Sequence, residues 1–400
     1  MPTDEPAGGG RGRADGQSLA PLSQFILKIH SRCNLSCSYC YVYTMADQSW
    51  RDQPVAMTPT VLALAAQRIA EHAVRNTVRR IRVVLHGGEP LLAGHEFIDL
   101  AATVINETVG AVAAVDIVVQ TNGVLLEEPM LDLLRRKGIR VGVSLDGGPT
   151  THDRNRRYAN GKGSFTDAAA GLSRLRDPRF RDIYAGILAT VDVTADPVAF
   201  YRDLLAFSPP MIDLLLPHGN WSAPPPRPPG PPGATPYADW LAAVFDSWYE
   251  TRPLTTYIRL FGSIIRLLMG GRSDTESIGF SPVSSVVVET DGSIELLDVL
   301  KSAYAGAAAT GRHLSSTSFD EVADLPTMVV RQSGRDGLGV ECQSCAVRDV
   351  CGGGYFPHRY REGSGFRNPS VYCADLYALI DHIRDRIEAD LAPFLARRPR

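Results

Sequence analysis

The chain has 400 residues and a mass of 43.4 kDa, and its 41 basic and 44 acidic residues leave a formal net charge of −3. This near balance argues against a protein held on nucleic acid by bulk phosphate attraction, and a hydrophobic fraction of 44% excludes global disorder. No apolar run approaches the roughly 20 residues that span a bilayer. The first residues also lack the apolar core of a secretory signal, so we expect a cytoplasmic protein without membrane contact.

Strand and helix patterns alternate through the first half of the chain. Residues 1–20 are rich in Gly, Arg, Asp and Pro and are predicted to be disordered. Beyond them, six nearly all-apolar strands alternate with amphipathic helices, which is typical of a parallel sheet buried on both faces. Six units are fewer than the eight of a closed barrel, so the pattern predicts an α/β fold with an open or partial barrel. The strands are predicted at 24–30, 81–85, 115–120, 139–145, 183–190 and 211–216, and the helices at 58–75, 96–108, 127–137, 164–176 and 197–206.

A proline-rich segment divides the chain. Residues 222–236 contain eight prolines, so they are predicted to form an extended linker or surface loop. Beyond it, two helices, a hairpin and a last helix are predicted at 237–250, 254–269, 286–297 and about 375–393. The predicted domains are a barrel at 21–221, the linker at 222–236, a helical bridge at 237–285 and a C-terminal domain at 286–400.

The seven cysteines fall into two tight groups, which in a reducing compartment favours metal binding over disulfides. The first group is Cys33, Cys37 and Cys40, in the loop after the first strand. Three thiolates at this spacing can bind three irons of a cubane cluster and leave the fourth iron open to a ligand. A structural zinc would need a fourth ligand, for which His30 is the nearest candidate. A disulfide would leave one cysteine over.

Polar residues follow several predicted strands, and functional groups gather at the carboxyl ends of barrel strands. Gly87-Gly88-Glu89-Pro90 follows the second strand, Asn122 the third, and Ser144 with Asp146 the fourth. The glycines permit close backbone approach, and the Glu89 carboxylate can accept from an ammonium. Arg156 can pair bidentately with a carboxylate. Ordinary turns and a solvated basic loop are the alternatives for these segments.

Together these motifs resemble the radical S-adenosylmethionine (SAM) superfamily. Cys33, Cys37 and Cys40, with the aromatic Tyr39 before the last cysteine, match its C-x3-C-x2-C signature. The resemblance implies a partial (β/α)6 TIM-type barrel, a [4Fe–4S] cluster and bound SAM, whose reductive cleavage yields a hydrogen-abstracting 5′-deoxyadenosyl radical. It also implies the SAM-binding roles. The resemblance assigns contacts with the SAM amino group to Gly87, Gly88, Glu89 and Pro90. It assigns the SAM ribose to Ser144 and the SAM carboxylate to Arg156. Further cofactor contacts are implied for Tyr39, Asn122 and Asp146.

The second cysteine group comprises Cys342, Cys345, Cys351 and Cys373, enough for a closed site such as a four-cysteine zinc site. Its C-x2-C-x5-C-G-G-G run resembles the SPASM/Twitch-like extension of radical SAM peptide maturases. A full SPASM pattern has seven cysteines and two auxiliary clusters, whereas Leu297 and Tyr355 stand at two of its cysteine positions here. The resemblance therefore implies one auxiliary cluster and two [4Fe–4S] clusters in total. It also implies a proton-accepting role for Asp298, for which the alternative is a water-exposed hairpin residue.

Residues 286–301, 351–360 and 368–373 resemble the Fxs-type, cyclophane-forming radical SAM/SPASM maturases. This implies a ribosomal precursor peptide as substrate, in which an aromatic ring carbon becomes bonded to the Cβ of a nearby residue. It also implies an external electron donor of the flavodoxin or ferredoxin type. The alternatives are a thioether-forming or sulfatase-activating radical SAM enzyme, and a non-catalytic metal-binding regulator.

Overall fold

One ten-stranded sheet organises the protein, and a computed structural model describes its residues 19–395. Residues 1–18 of the segment predicted to be disordered lie outside the described residues. The strands are β1 Gln24–His30, β2 Arg80–Gly87, β3 Ala114–Thr121, β4 Arg140–Ser144, β5 Tyr184–Thr190, β6 Met211–Leu215, β7 Tyr257–Ile258, β8 Ser285–Val288, β9 Ser293–Glu295 and β10 Ala309–His313. Their order across the sheet is β10-β9-β8-β1-β2-β3-β4-β5-β6-β7.

Helices cover the sheet and follow the predicted alternation. They are α1 Pro59–Arg75, α2 Gly94–Thr108, α3 Glu128–Arg136, α4 Pro149–Asn155, α5 Phe165–Leu175, α6 Pro197–Leu205, α7 Pro236–Glu250, α8 Arg259–Leu268, α9 Phe319–Ala323, α10 Pro326–Gln332, α11 Val340–Gln343, α12 Arg348–Cys351 and α13 Cys373–Leu395. The Thr58 side chain accepts from the Val61 N–H at the start of α1, as its sequence predicts. Within residues 19–395, no helix combines the length and apolarity needed to cross a bilayer.

The strands β1 to β6 form the predicted partial barrel. Each pairs in parallel with its neighbour in chain order, as when Leu27 of β1 lies opposite Leu85 of β2. Apolar side chains such as Phe25, Val83 and Ile187 are fully buried, because helices cover the sheet. All six carboxyl ends therefore meet along one edge, where the sequence places its motifs.

The C-terminal half extends the barrel sheet at both of its edges. The predicted hairpin forms β8 and β9, and β8 pairs in parallel with β1, placing Val288 opposite Leu27. The sheet is thus continuous across the predicted boundaries, and the domain limits stay predictions.

The helix predicted from residue 254 is wrong in its first turn, because α8 begins only at Arg259. Tyr257 instead pairs with Met211 of β6, and its N–H donates to the Pro210 carbonyl at 3.0 Å. Pairing with a sheet edge outcompetes the local helical pattern here.

A buried carboxylate joins the proline-rich segment and α7 to the C-terminal helix. Asp375, on α13, is 2% exposed, and its Oδ1 accepts from the Tyr237 N–H at 3.0 Å and the Ala238 N–H at 3.3 Å. It thus caps the first turn of α7 from another helix. Its Oδ2 pairs with Arg227 of the proline-rich segment, so this segment is bound to the C-terminal half.

We expect Asp375→Ala to lower the free energy of unfolding by about 3 kcal/mol, because it leaves helix N–H groups and Arg227 without their acceptor. The measurement is a urea titration of the cluster-loaded protein. Asp381→Ala, on the same helix, removes a partly exposed ion pair with Arg384 and is expected to cost less than about 1 kcal/mol. Equal losses in the two variants would contradict the capping role.

Candidate active site

A cavity of about 610 Å³ opens along the carboxyl edge of the barrel strands. Its wall includes all three cysteines of the first group and residues at or just beyond the carboxyl ends of β2 to β6. The C-terminal half completes the wall with Asp298, Tyr355 and His358. This volume lies in the range of small-molecule sites, and both halves of the chain contribute to it.

The first cysteine group lies in a loop held to the end of α4. The Ser36 N–H donates to the Arg157 carbonyl at 2.6 Å, and the Ser38 N–H donates to the Asn155 carbonyl at 3.1 Å. Burial raises the pKa of the Cys33 thiol to about 12 and that of Cys37 to about 11, and neighbouring thiols add to the rise. Without metal these thiols are neutral at neutral pH, and coordination is what deprotonates them.

The cysteine geometry fits an iron–sulfur cluster better than the alternatives. All seven cysteines are free thiols, so the disulfide alternative is wrong. No three cysteine sulfurs in the described chain lie within 4.8 Å of one another. A tetrahedral zinc would need all its thiolates about 4 Å apart, given Zn–S bonds of about 2.3 Å. His30, the suggested fourth zinc ligand, instead interacts through Nδ1 with the Arg32 backbone at 3.0 Å. Cubane clusters are bound by cysteine thiolates, which is the donor type that this loop supplies.

Two glycines bring the end of β2 against the cysteine loop. The Gly88 N–H donates to the His30 carbonyl at 2.9 Å. A Cβ at Gly87 would lie 2.0 Å from the His30 carbonyl oxygen, and one at Gly88 would lie 2.4 Å from that of Arg32. Since no side chain fits at either position, the glycines set how closely this turn approaches the cysteines. Both also line the cavity.

Glu89 is fully buried and holds the same turn in place. Its carboxylate accepts from the Leu91 N–H at 3.0 Å, the Thr121 hydroxyl at 2.7 Å and the Asn122 N–H at 2.8 Å. Burial raises its pKa to about 7 despite these bonds. Glu89 and the buried Pro90 are not part of the cavity wall, so in this structure Glu89 joins the ends of β2 and β3.

Asp146 positions two residues of the cavity wall. It is 2% exposed and lies behind that wall; its Oδ2 accepts from Arg156 Nε at 3.0 Å and from the Tyr39 hydroxyl. Its Oδ1 accepts from the Thr190 N–H at 2.8 Å. The Arg156 guanidinium also lies over the Tyr39 ring, 5.5 Å from its centroid. The structure therefore presents a fixed cation to the cavity next to the cysteine loop.

Ser144 and Asn122 line the cavity between these groups. The Ser144 hydroxyl accepts from the Gln120 amide at 3.0 Å. The Asn122 amide donates to Asn34 Oδ1 at 2.7 Å and lies 3.8 Å from Cys33 Sγ. All of the predicted SAM-binding residues thus lie on this wall or directly behind it.

The second cysteine group is assembled from three separate elements. Cys342 lies on α11, Cys351 ends α12 and Cys373 begins α13, while Cys345 lies in the loop between the two short helices. Burial raises the pKa of Cys351 to about 12, and the thiols of Cys342 and Cys373 add to the rise. Four thiols are enough for a closed donor set, which would leave no ligand position for substrate.

Asp298 is buried, so the alternative that it is a water-exposed hairpin residue is wrong. It is 4% exposed, lines the cavity, and its Oδ1 lies 3.0 Å from the Lys28 ammonium. The two groups thus form an ion pair, but their relative orientation does not meet the angles of a hydrogen bond. The Lys28 ammonium also contacts Glu289 at 2.7 Å. The lysine of β1 therefore holds two carboxyl groups of the C-terminal half.

A second buried lysine completes this charge cluster. Lys301 Nζ lies 2.7 Å from Glu289 Oε1 and 2.9 Å from Glu295 Oε2. Although burial acts to raise it, the two ammonium groups lower the pKa of Glu289 to about 2. Burial and the neighbouring Glu289 raise the pKa of Glu295 to about 8. Burial and the neighbouring carboxylate thus favour the neutral form of Glu295, while the two lysines favour the charged form of Glu289.

Several residues of the cavity wall and its support were not predicted from the sequence. Lys28 and His86 are polar residues inside otherwise apolar strands, a signal that is visible in the sequence. No comparable signal is visible in the sequence for the other missed residues, which lie next to turn or glycine motifs: Gln120, His218 and His358. Only the folded chain brings them to the cavity.

Relatives of known description match most of the chain. It is 26% identical over 286 residues to the cysteine-type anaerobic sulfatase-maturating enzyme of Clostridium perfringens (strain 13 / Type A), covering 69% of this chain and 74% of that one. It is 22% identical over 383 residues to the serine-type anaerobic sulfatase-maturating enzyme of Bacteroides thetaiotaomicron, covering 91% and 89%.

Solved structures share the fold. Native anSMEcpe with bound AdoMet superposes with a TM-score of 0.78 at 20% identity, covering 92% of this chain and 98% of that one. Streptococcus suis SuiB bound to precursor peptide SuiA superposes with a TM-score of 0.59 at 16% identity, covering 88% and 76%. Residues 27–204, which contain the first cysteine group, match the family model described as the Radical SAM superfamily. The predicted radical SAM fold is thus confirmed, and the barrel region of the chain is similar to the radical SAM superfamily.

Proposed function

We propose that the protein is a radical SAM peptide maturase that joins an aromatic ring carbon to the Cβ of a nearby residue in a ribosomal precursor peptide. One observation carries the proposal: the cysteine triad, the residues expected to bind SAM and the buried Asp298 surround a single cavity. A site for SAM, a site for a substrate side chain and a proton acceptor are thus within one enclosed space. This arrangement suits a reactive intermediate that must be kept from water.

Radical SAM proteins use SAM and a [4Fe–4S] cluster, and the match of residues 27–204 to that family model, together with a solved structure of the same fold with bound AdoMet, supports these predicted cofactors. In our proposal Cys33, Cys37 and Cys40 hold the first cluster. The Gly87-Gly88 backbone and Ser144 then border bound SAM, and the Arg156 guanidinium, positioned by Asp146, pairs with its carboxylate. Arg156 suits that role because the two N–H groups of a guanidinium can pair with both oxygens of a carboxylate. The hydrogen bond from its Nε to Asp146 fixes the orientation of the guanidinium.

The second cysteine group is proposed to hold one auxiliary [4Fe–4S] cluster. When bound, SAM with the first cluster supplies a hydrogen-abstracting 5′-deoxyadenosyl radical, and the auxiliary cluster supplies an electron acceptor. Ring closure removes two hydrogens from the peptide, one as the abstracted atom and one as a proton with its electron. Asp298 is proposed to accept that proton, since it lines the cavity and Lys28 holds it in place. An external flavodoxin- or ferredoxin-type donor supplies the initiating electron.

A peptide substrate is supported by the relatives. Two of the solved structures with this fold are described as containing a peptide, Cp18Cys peptide in anSMEcpe and precursor peptide SuiA in SuiB. The second candidate function is sulfatase maturation, which the described activities of the sequence relatives favour. The products differ chemically, because sulfatase maturation leaves an aldehyde that hydrazides capture, whereas a carbon–carbon crosslink does not react.

The cluster assignment predicts about eight irons per chain, four from each [4Fe–4S] cluster. Replacing Cys33, Cys37 and Cys40 together with Ala should remove about half of the iron and all 5′-deoxyadenosine formation with reductant. Replacing Cys345 and Cys373 should remove the other half and the crosslinked product. Iron content and chromatography of 5′-deoxyadenosine after anaerobic reconstitution measure both. About twelve irons in the wild type would refute the two-cluster assignment.

The assignment of Arg156 predicts that Arg156→Ala weakens SAM binding by about a hundredfold, because a charge-assisted pair is lost in a buried site. Arg156→Lys keeps the charge without the fork and should lose less. Equilibrium binding of SAM to the reconstituted protein gives both values. Arg154→Ala is the matched control, since that neighbouring side chain points to solvent and pairs with Asp192. A similar loss in the control would remove Arg156 from the SAM site.

Co-expression with its precursor peptide, to be sought among small reading frames beside the gene, should yield a product lighter by two hydrogens per crosslink. Fragmentation by mass spectrometry should then fail between the joined residues. Asp298→Asn should slow crosslinking by about a hundredfold, the usual contribution of a positioned proton acceptor. Asp291→Asn, in the turn of the same hairpin, should have no such effect. Full crosslinking by the Asp298 variant would exclude its role as base, and capture of the product by a hydrazide would favour sulfatase-type chemistry.

A further inference from the structure

Unpartnered polar atoms are concentrated at the cavity. In the described part of the chain, eight buried side-chain nitrogen or oxygen atoms lack a hydrogen-bond partner, and five of them belong to residues that line this cavity. Three are imidazole nitrogens, from His86, His218 and His358. An unsatisfied buried polar group is destabilising and calls for a functional explanation. His358 is the clearest case, because it is only 3% exposed.

Four aromatic rings form one section of the cavity wall, which we name the imidazole wall: Tyr41, His218, Tyr355 and His358. The His218 ring lies 5.0 Å from Tyr41 in a T-shaped contact and 6.1 Å from His358, measured between centroids. The Tyr355 and His358 rings lie 5.4 Å apart. These spacings are those of mutually packed aromatic rings, which leave flat faces and edges for a further ring.

The imidazoles of this wall are uncharged at neutral pH. Burial lowers the pKa of His218 to about 4 and that of His358 well below its usual value. A neutral imidazole has one N–H donor and one nitrogen acceptor. The wall thus offers aromatic surface together with neutral hydrogen-bonding atoms, which suits an uncharged aromatic group that carries a hydroxyl or an N–H.

A metal site is a poor explanation for these histidines. Among the described residues, the one group of three His, Cys, Asp or Glu side chains close enough to share an ion is Glu289, Glu295 and Asp298. Two lysine ammonium groups already contact that group. His218 and His358 have no third ligand of these types within the same distance.

We infer that the imidazole wall is a substrate subsite that receives a Tyr or Trp side chain and hydrogen-bonds its hydroxyl or N–H through His218 and His358. The inference rests on the proposed function in one respect, that the side chain belongs to the peptide being modified. It goes further by giving the class of side chain and the residues that select it. Tyr41 comes from the loop after β1 and His218 from the loop after β6, whereas Tyr355 and His358 belong to the C-terminal half, so neither half alone provides the site.

The test uses p-cresol and toluene, the side-chain analogues of Tyr and Phe, which differ by one hydroxyl. Their affinities for the reconstituted, SAM-saturated protein are measured by ligand-observed NMR titration. We expect p-cresol to bind about tenfold more tightly than toluene, because a buried polar group left unpaired costs at least this much. The combined variant His218→Phe/His358→Phe keeps planar rings without ring nitrogens and should reduce the ratio to about one. His218→Gln/His358→Gln keeps donors and acceptors and should preserve the preference.

His382→Phe is the matched control, since this histidine lies on α13 and pairs with Asp246 away from the cavity. It should leave the ratio unchanged. Iron content and thermal midpoint show that each variant is folded. Equal affinities in the wild type, binding of neither probe, or a preference that survives in the double Phe variant would each overturn the inference. The titration needs no peptide and no turnover, so its failure is distinct from a failure of the proposed crosslinking.

Discussion

The contact of Lys28 with Glu289 and Asp298 is the constraint on which the site depends. Lys28 lies on β1, two residues before the strand ends and the cysteine loop begins, and it is 2% exposed. A buried ammonium without partners is strongly destabilising, and its partners here come from the hairpin region of the C-terminal half. These ion pairs therefore hold β1 against the hairpin region of the C-terminal half. The same contact places Asp298 at the cavity and β8 beside β1.

This connection explains how the two halves share one cavity. The barrel contributes the cysteine triad and the residues expected to bind SAM, while the C-terminal half contributes Asp298, Tyr355 and His358. Leu297 and Tyr355, which stand at two cysteine positions of the seven-cysteine pattern, both line the cavity. A chain without those thiolates thus presents a leucine and an aromatic ring to this space. The physical consequence is a wall suited to binding an organic side chain.

Much of the fold follows from local patterns. Ile81–Leu85, which lies within β2, and the Thr58 cap of α1 were predictable, because an apolar run and a capping residue are both visible in a short stretch of sequence. The start of α8 was not, since pairing of Tyr257 with Met211 depends on a strand far away in sequence. The burial of Asp298 was equally hidden, because a hairpin carboxylate looks the same in sequence whether or not a lysine of another strand faces it.

The sequence by itself determined the chemistry: the two cysteine groups, the glycine turn and the arginine that suits a carboxylate are readable from residue type and spacing. Tertiary structure alone decided which of these groups face the cavity. It placed Glu89 in hydrogen bonds to backbone and Thr121, Asp146 behind Arg156, and His218 beside His358. The reason is that residue type sets what a side chain can bind, whereas burial, charge pairing and close approach arise from elements that are distant in sequence.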